Sequence, residues 1–283
     1  MCQGRAVADG RLAVGRFSDP VAAQLLTAEE HSAVELARSS SAPADGRRRL
    51  SVESLRACAE GVVPRTVAID DAVREAAHGQ VVLVGAGLDS RPWRMPELGA
   101  AVVFSVDHPD SQADARQRST ALSPTARGLE YVPADLTRRP LDEALAAAST
   151  HDPAAATTWV WEGVVPYLTP EQVEATVAAL ARRSAPGSVL VVQYQSPSRV
   201  AALGRRVMGL VARLSGADDP MAEEPWRSAW RPQAMAALLA RHGFVVRRDE
   251  DLLGIATALG SPSTRRRSLS TGRVAVAALA LTG

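Results

Sequence analysis

Apolar positions recur with helical spacing through residues 1–78 and then give way to short continuous apolar runs. Asp19 is a candidate helix N-cap, and apolar residues three and four positions apart follow it. The same spacing predicts a second helix over Pro64–His78. Val81–Val84 is an uninterrupted apolar run that ends at Gly85, typical of a strand buried on both faces. The pattern therefore predicts a helical segment followed by a sheet.

Further apolar runs, separated by helical patterns, extend this sheet. The predicted strands are Ala101–Val106, Leu129–Val132, Thr158–Glu162 and Ser188–Tyr194. The clearest helix covers Pro170–Arg183, with Thr169 as its N-cap. Strands that alternate with helices favour a doubly wound, mostly parallel α/β sheet. The tail differs, because a helix over Gln233–His242 precedes two strands, Phe244–Asp249 and Arg273–Leu281. This pair predicts one antiparallel strand at the end of the sheet.

Three segments lie outside this alternation. Ser39–Arg49 and Ser261–Arg273 are rich in Ser, Pro, Gly and Arg without apolar periodicity, and they predict exposed loops. Ser196–Pro232 carries an amphipathic helical stripe from Val200 to Leu214, and it predicts a cap beside the sheet. We predict one domain over residues 1–283, with N-terminal helices in 1–78, the α/β core in 79–195 and 233–283, and the cap insertion in 196–232.

Composition limits the classes of function. Of the 283 residues, 46% are hydrophobic and 22% are charged, which is ordinary for a globular protein with a sizeable core. The formal net charge of +1 provides no overall attraction to nucleic acid or to an acidic membrane. The sequence contains no lysine, which excludes Schiff-base chemistry and a Walker-type phosphate-binding lysine.

Cysteine usage and the apolar runs bear on the compartment. Cys2 and Cys58 lack the spacing of metal ligands, so we expect two free thiols and no metal site. The amino terminus lacks the apolar core of a secretory signal, and no apolar run approaches the about 18 residues of a membrane span. We therefore expect a cytoplasmic protein.

The first buried strand runs into a turn with two glycines, Gly85-Ala86-Gly87. Glycines at the carboxyl end of a parallel strand permit a tight turn and a close approach of the backbone to a ligand. Asp107 ends the next strand, 20 residues after Gly87, where an acidic side chain binds ribose hydroxyls. The ribose could belong to NAD or to S-adenosylmethionine. NAD sites continue to a third glycine at the position of Ser90, so the motif favours the methyl donor.

Five ordered motifs contain this turn and its surroundings. They are Arg65-Thr66-Val67-Ala68-Ile69-Asp70, Val81-Val82-Leu83-Val84-Gly85-Ala86-Gly87-Leu88-Asp89-Ser90-Arg91, Val106-Asp107-His108-Pro109, Ala134-Asp135-Leu136 and Glu162-Gly163-Val164-Val165-Pro166-Tyr167-Leu168. Together they resemble the leucine carboxyl methyltransferase family, especially its bacterial branch of O-methyltransferases associated with polyketide and other natural-product pathways. Arg16-Phe17-Ser18-Asp19-Pro20 and Glu224-Pro225-Trp226 also resemble that branch. The resemblance covers residues 16–250 and implies a Rossmann-like class I methyltransferase fold that binds S-adenosylmethionine.

The resemblance also implies the residues that bind the cofactor. They are Arg65, Gly85, Ala86, Gly87, Asp107, His108, Asp135, Leu136 and Glu162. Arg65 would pair with the methionine carboxylate, and Glu162 would face the ammonium group. The glycine turn would line the sugar and the methionine portion, and Asp107 would accept from the ribose hydroxyls. Asp135 and Leu136 would bracket the adenine.

The sequence limits the methyl acceptor less closely than it limits the cofactor. A carboxylate is ionised at pH 7 and needs no base, whereas a phenol benefits from one. His108 and Tyr167 follow strand ends and are the candidate catalytic groups, with loop packing as the alternative for His108. Tyr167, Tyr194, Trp226 and Trp230 are candidate acceptor contacts, because aromatic walls suit a planar or apolar molecule. We expect a small-molecule or peptide-like acceptor, with neither nucleic acid nor a membrane as partner, and a homo-oligomer stays open.

Two other interpretations stay open from the sequence alone. A nicotinamide-dependent oxidoreductase would use a similar sheet, but Ser90 and the absence of a Tyr-x-x-x-Lys-like site disfavour it. A noncatalytic cofactor-binding module would need only part of the motif set. The complete set from Arg65 to Glu162 disfavours that interpretation.

Overall fold

A seven-stranded sheet forms the centre of the structure, a computed structural model that describes residues 1–39, 45–136, 140–147, 150–197, 226–261 and 265–280. The strands are β1 (Gln80–Val84), β2 (Val102–Asp107), β3 (Gly128–Pro133), β4 (Thr157–Trp161), β5 (Val189–Gln195), β6 (Phe244–Asp251) and β7 (Gly272–Leu279). Their order is β3-β2-β1-β4-β5-β7-β6. Neighbours among β1 to β5 pair in parallel, and β7 runs antiparallel to β5 and β6. The predicted mostly parallel sheet with one antiparallel strand is confirmed.

Helices precede the sheet and connect its strands. They are α1 (Cys2–Ala8), α2 (Pro20–Gln24), α3 (Ala28–Arg38), α4 (Gly46–Ala76), α5 (Arg91–Arg94), α6 (Pro109–Arg118), α7 (Leu141–Ala146), α8 (Pro170–Arg182), α9 (Pro232–Arg241), α10 (Leu252–Ala258) and α11 (Arg266–Leu269), with short 3-10 helices at Pro96–Ala100 and Val165–Tyr167. In the ranges described above, none of these helices has both the length and the apolar composition that a membrane crossing requires.

Each face of the sheet has its own apolar core, because successive strand residues point to opposite faces. Val82 lies on the face covered by α7, α8 and α9, whereas Leu83 lies on the face covered by α4 and α10. A third core joins α1 to α4, and Leu88 and Trp93 from the region after β1 pack against it. Full burial of a leucine contributes about 1.5–3 kcal/mol, and the half-buried Leu88 contributes part of this. The N-terminal helices are therefore packed onto the segment that carries the glycine turn.

The long helix α4 corrects two predictions. It begins at Gly46, with the Asp45 side chain accepting from Arg48 N at 3.2 Å, so residues 46–49 are helical and not part of a loop. Residues 40–44 of that predicted loop lie outside the described residues. Pro64, the predicted first residue of the second helix, lies inside α4. Packing overrides the cost of about 3 kcal/mol for an internal proline, because buried residues of two cores flank it on the same helix.

The structure also bears on the second predicted loop and on the predicted cap. Ser261–Arg273 contains α11, whose Leu269 is buried against the sheet, and β7 begins at Gly272, so the loop prediction is wrong for these residues. Tertiary burial of one leucine outweighs a composition that favours a loop. Of the predicted cap, residues 198–225 lie outside the described residues, including the stripe from Val200 to Leu214.

Candidate functional site

The carboxyl ends of four neighbouring strands carry the predicted cofactor residues in one row. Asp135 follows β3, Asp107 ends β2, Gly85 follows β1, and Glu162 follows β4. Gly85 N donates to Val106 O at 2.8 Å, which joins the turn after β1 to the end of β2. Adjacent strands lie about 4.8 Å apart, so the row extends over about 14 Å. The edge can therefore hold an elongated ligand across β3, β2, β1 and β4.

Two glycines give the turn after β1 its shape. Gly85 and Gly87 have φ angles of +69° and +49°, which side chains other than glycine rarely adopt. A Cβ atom at Gly85 would also overlap Cγ2 of Val164. The Asp107 carboxylate accepts from Gly87 N at 2.5 Å and from His108 N at 2.7 Å. The turn is thus tied to the acidic residue that was predicted to bind ribose.

A cavity of about 260 Å³ lies against this turn. Its lining residues are Met1, Cys2, Arg5, Arg65, Leu83, Val84, Gly85, Ala86, Gly87, Leu88, Asp89, Val160, Glu162 and Gly163. Two of them are guanidinium groups, Arg5 from α1 and Arg65 from α4, and two are carboxylates, Asp89 and Glu162. These opposite charges suit a ligand that carries both a carboxylate and an ammonium group.

The closest pair of opposite charges in the cavity joins α4 to β4. Arg65 Nε lies 2.7 Å from Glu162 Oε1, and Arg91 Nη1 donates to Glu162 Oε2 at 2.9 Å. Burial raises the pKa of Glu162, but Arg65, Arg91 and Arg5 outweigh it and hold this pKa well below its usual range. Glu162 is therefore a carboxylate at every physiological pH.

Buried charges continue behind the cavity wall. Arg91 Nε and Arg94 Nη1 each donate to Asp70 at 2.7 Å, and Arg91 Nη1 donates to Asp89 at 2.5 Å. Burial lowers the pKa of Arg91, but Asp89, Glu162 and Asp70 together raise it well above its ordinary value. Removal of one partner from a buried pair costs about 3–5 kcal/mol, so the wall depends on all of these side chains.

A second buried acid connects α1 to the glycine turn. Asp19, the predicted N-cap, accepts from Ala22 N at 2.9 Å and caps α2. It also accepts from Arg5 Nε at 2.7 Å and from Ser90 Oγ at 2.6 Å. Ser90, at the position of a third glycine, is therefore part of a buried hydrogen-bond network.

Comparison with known proteins identifies the family. A model of the family described as leucine carboxyl methyltransferase matches residues 1–181, more than half of the chain. The chain belongs to the leucine carboxyl methyltransferase family. A Mycolicibacterium gilvum protein, by its name an S-adenosyl-L-methionine-dependent methyltransferase, is 33% identical over 235 residues, which are 73% of this chain and 75% of that protein. A similarly named Streptomyces coelicolor protein is 36% identical over 205 residues, which are 70% of this chain and 65% of that protein.

Solved structures share the fold of this leucine carboxyl methyltransferase family member. A DUF574 family protein from Streptomyces avermitilis superposes with a TM-score of 0.60 at 18% identity, covering 98% of this chain and 96% of its own. Magnesium protoporphyrin IX methyltransferase from Synechocystis, with bound SAH, has a TM-score of 0.50 at 13% identity, covering 89% of this chain and 94% of its own. The predicted Rossmann-like class I methyltransferase fold is confirmed.

In this family member, the predicted cofactor residues meet at one sheet edge. Those that line the cavity are Arg65, Gly85, Ala86, Gly87 and Glu162. Asp107 reaches the cavity turn through its bond to Gly87 N. Asp135 and Leu136 lie beyond it at the end of β3, and Leu136 packs against the core on the α7 side. The motifs thus converge as a row along the strand ends.

Neither candidate catalytic group lines the cavity. His108 caps α6, where its Nδ1 accepts from Asp110 N at 3.4 Å, and its side chain is half exposed. Tyr167 ends the 3-10 helix after β4 and is 38% exposed. Among the described residues that line the cavity, none is a histidine or a tyrosine.

The structure corrects the prediction that Tyr194 contacts the acceptor. Tyr194 is fully buried, and its hydroxyl donates to Asp249 at 2.6 Å. Burial and Asp249 raise the pKa of Tyr194 above its ordinary value. Arg273 donates to the same carboxylate at 2.9 Å. The alternation of β5 turns Tyr194 into the core with Leu190 and Val192, so it joins β5, β6 and β7.

The two candidate tryptophans lie along one segment beside the strand ends. Arg227 N donates to Pro166 O at 2.6 Å, which places Trp226 beside the 3-10 helix, and Trp226 is 38% exposed. Trp230 N donates to Gln195 O at 2.8 Å at the end of β5, and its ring packs against the core. The Trp230 Nε1 atom is buried without a hydrogen-bond partner among the described residues. Both rings are thus near the edge that carries the cavity.

Sequence reasoning missed the charged residues that surround the cavity. They are Arg5, Asp19, Asp70, Asp89, Arg91 and Arg94. Asp19 was identified only as a cap, and Asp70, Asp89 and Arg91 were part of the motifs without a role of their own. One available signal was the position of Asp70, which follows apolar residues on the buried side of a helix. A carboxylate at such a position requires a buried partner. Arg91 and Arg94, three residues apart on one helical turn, were the candidates.

Proposed function

We propose that this protein methylates an oxygen, that of a carboxylate or an acidic hydroxyl, on a small-molecule or peptide-like natural product. The family membership and the named relatives establish the broader class, an S-adenosylmethionine-dependent methyltransferase. The Arg65–Glu162 pair in the cavity beside the glycine turn supports binding of the methyl donor, and the family description, a carboxyl methyltransferase, supports an oxygen as acceptor. The pair offers one cation and one anion where the amino-acid end of the cofactor requires both.

The residues present fit S-adenosylmethionine along the whole row. Arg65 would hold its carboxylate and Glu162 its ammonium group, because the two side chains line one cavity. Asp107 would accept from the ribose hydroxyls, and Asp135 with Leu136 would hold the adenine at the end of β3. When bound, the cofactor supplies a methyl group already activated by a positively charged sulfur.

The same site is poorly suited to NAD. The third glycine is replaced by Ser90, which is fully buried and donates to the Asp19 carboxylate. The helix after the turn, α5, has four residues, so it presents little dipole to a pyrophosphate. These features disfavour the oxidoreductase alternative.

The surroundings of the cavity support an acceptor that needs no base. Once the acceptor oxygen is aligned with the activated methyl group, alignment itself supplies much of the rate. A carboxylate, with a pKa near 4, is ionised at pH 7 without help. His108, the one imidazole proposed for this role, caps α6 and does not line the cavity. A carboxylate or an acidic hydroxyl therefore agrees with the residues near the cofactor better than an unactivated phenol does.

The acceptor would lie against the aromatic side chains beside β4 and β5. The Trp226–Ser228 segment is held to the 3-10 helix by Ser228 Oγ, which donates to Val165 O at 2.9 Å. This attachment puts Trp226 and Tyr167, both partly exposed, at the same edge as the cavity. Flat aromatic surfaces of this kind suit a planar or apolar acceptor.

Three measurements on the purified chain test the proposal. Calorimetry should show binding of S-adenosylmethionine and S-adenosylhomocysteine and no binding of NAD. A screen with labelled methyl donor against acids and phenols should then yield an ester or a methyl ether. For a carboxylate acceptor, the rate should stay nearly flat from about pH 6 to 8, and His108→Gln should retain it. NAD binding alone, or a product methylated on nitrogen or carbon, would refute the proposal.

The aromatic contacts are tested separately. Trp226→Ala and Trp230→Ala should raise KM for the acceptor and leave the Kd of S-adenosylhomocysteine unchanged. Trp93→Ala is the control in which KM for the acceptor should stay unchanged, because this tryptophan packs against the N-terminal core. Equal losses of acceptor and cofactor binding in the Trp226 and Trp230 variants would show that these residues support the fold and do not contact the acceptor.

A further inference from the structure

We infer that this protein has a second ligand site, a groove beside the edge strand β3 that takes a planar aromatic molecule with one anionic group. The groove has a volume of about 410 Å³, compared with about 260 Å³ for the cofactor cavity. Among the described residues, none lines both. The volume of the groove lies in the range of small-molecule sites. The inference goes beyond the proposed methyl transfer and does not depend on it.

Three elements form the walls of this groove. The helix α5 contributes Trp93, the end of α6 and the connection after it contribute Arg116 and Leu122, and β3 contributes Leu129 and Tyr131. Trp93, Leu122 and Leu129 pack against the cores and are only half-buried. An aromatic ligand would remove their remaining apolar surface from water, which contributes about 25 cal/mol per Å².

Arg116 gives the groove a positive charge. Of the described residues that line the groove, Arg116 is the only charged one. Within the described ranges no carboxylate forms an ion pair with it, whereas Arg118, two residues further on, pairs with Glu30 and Asp114. A cation that no nearby acid neutralises favours an anionic ligand. The groove differs in this respect from the cofactor cavity, which carries both signs of charge.

Tyr131 holds the Arg116 side chain at the groove. The Cζ atom of Arg116 lies 4.9 Å from the centre of the Tyr131 ring, within the range of a cation–π contact. The Tyr131 hydroxyl lies 3.2 Å from Oγ of Ser119, which is buried and itself donates to Ala115 O at 2.8 Å. A contact with the ring does not use the N–H groups of the guanidinium, so they can donate to a carboxylate.

Hydrogen bonds also fix the wall that carries Trp93. Thr125 N and Ala126 N donate to Pro92 O at 2.9 and 3.1 Å, and Thr125 Oγ1 donates to Met95 O at 3.1 Å. These bonds attach the connection before β3 to α5. The walls are therefore ordered before a ligand arrives, and binding does not carry the cost of ordering them.

The test compares two probes of similar shape, 2-naphthoate and 2-naphthamide. The carboxylic acid is ionised at pH 7, whereas the amide is neutral. Calorimetry on the full chain should show 2-naphthoate binding about 5- to 10-fold more tightly than 2-naphthamide. The affinity should be the same with and without saturating S-adenosylhomocysteine, because the groove and the cofactor cavity are separate.

Arg116 variants carry the decision. Arg116→Gln should reduce the preference for 2-naphthoate to less than about 2-fold, and Arg116→Lys should retain part of it because the charge remains. Arg116 is exposed, so both variants should fold. Tyr131→Leu should weaken both probes about 2- to 10-fold, because it removes an aromatic surface. Arg127→Gln is the matched control, since Arg127 is an exposed cation just before β3 that does not line the groove.

Several results would overturn the inference. They are absence of 2-naphthoate binding, equal affinities for the two probes, equal losses in Arg116→Gln and Arg127→Gln, and a loss confined to Trp226→Ala, which would place the probe at the proposed acceptor site. Sedimentation that shows a dimer dissociated by Arg116→Gln would identify the groove as a contact between two copies of the chain instead. None of these results bears on the proposed methyl transfer, which is tested by cofactor binding and by the methylated product.

Discussion

Arg65 Nε and Glu162 Oε1 lie 2.7 Å apart in the wall of the cavity, and both side chains are nearly buried. A direct ion pair at this place means that a zwitterionic ligand exchanges one pair for two. The ligand's carboxylate pairs with the Arg65 guanidinium, and its ammonium group pairs with the Glu162 carboxylate. Such an exchange keeps every charge partnered before and after binding.

The first prediction concerns Arg65. Arg65→Ala should weaken S-adenosylhomocysteine binding about 10- to 100-fold, because a hydrogen bond to a charged group contributes about 1.5–3 kcal/mol. Arg65→Lys should recover only part of this loss, because the planar fork is absent. Calorimetry measures both. Arg74→Ala is the control on the same helix, since Arg74 pairs with Asp71 and Glu97 at the surface. An unchanged Kd in folded Arg65→Ala would contradict the proposed contact.

The second prediction concerns Asp107. Asp107→Ala removes the acceptor for the ribose hydroxyls and the bond that holds Gly87 N. We expect a loss of about 2–4 kcal/mol in cofactor affinity, measured by calorimetry with S-adenosylhomocysteine. Asp110→Ala, three residues away with a side chain almost fully exposed, should have no effect. Equal losses in the two variants would remove Asp107 from the site.

The third prediction concerns the shape of the glycine turn. Gly85→Ala combines a left-handed φ, worth about 1–2 kcal/mol, with an overlap against Val164 Cγ2. Overpacking adds about 1–3 kcal/mol, so the free energy of unfolding should fall by about 2–5 kcal/mol. Gly187→Ala has a φ of +86° and open space around its Cβ, so it reports the backbone cost alone.

A double variant separates the two contributions. Val164→Ala in the Gly85→Ala background should restore the part of the stability that the overlap removes. Denaturant unfolding of the single and double variants gives the coupling between the two sites. If the two losses simply add, the contact with Val164 does not limit the turn.

The fourth prediction concerns acid stability. His151 is buried against Phe104 and Trp159, with Arg183 Nη2 at 2.9 Å from its Nδ1. Burial and the Arg183 cation lower the pKa of His151 to about 4. In the unfolded chain the pKa is near 6.5, so protonation favours unfolding as the pH falls from about 6.5 to 4. At pH 5 this residue alone should cost about 2 kcal/mol of stability relative to pH 7.5.

The measurement is urea unfolding at pH 7.5 and pH 5. His151→Gln can still accept from Arg183 but does not titrate, so the difference between the two pH values should shrink by about 2 kcal/mol. His31→Gln is the control, because His31 lies in α3, away from the sheet core. A pH dependence identical to that of the unsubstituted chain would show that His151 is not a source of the acid sensitivity.

The elements that carry strong local signals could be predicted from the sequence. Apolar runs bounded by glycine or proline gave the strands, and Thr169 marked the start of α8 correctly, since it forms a capping box with Gln172. The same reasoning failed for α4, because Pro64 is a strong local signal that packing on two cores overrides. Burial of Leu269 similarly gives α11 a reason to form that its composition does not indicate.

The same difference between local signals and distant packing applies to the candidate site. Motif residues at strand ends, such as Gly85 and Asp107, were predictable because parallel strands end at one edge. The position of Arg5 in the cavity wall was not predictable, since it depends on α1 folding back over the turn at Leu88. That contact joins segments that are distant in the chain. Tyr194 was misassigned, because a strand's alternation gives two faces but does not say which one meets the ligand.

The N-terminal core includes Leu88 and Trp93, which follow the glycine turn in the chain. Cys2 and Leu88, which both line the cavity, therefore belong to one packed core, and the N-terminal helices cannot detach without exposing apolar surface beside the cavity. A ligand that binds only while these helices are packed stabilises the packed arrangement by about 2.7 kcal/mol at a hundredfold excess over Kd. Amide protons of α1 and α4 should accordingly exchange with solvent more slowly as the cofactor concentration rises, although most of those amides touch no ligand.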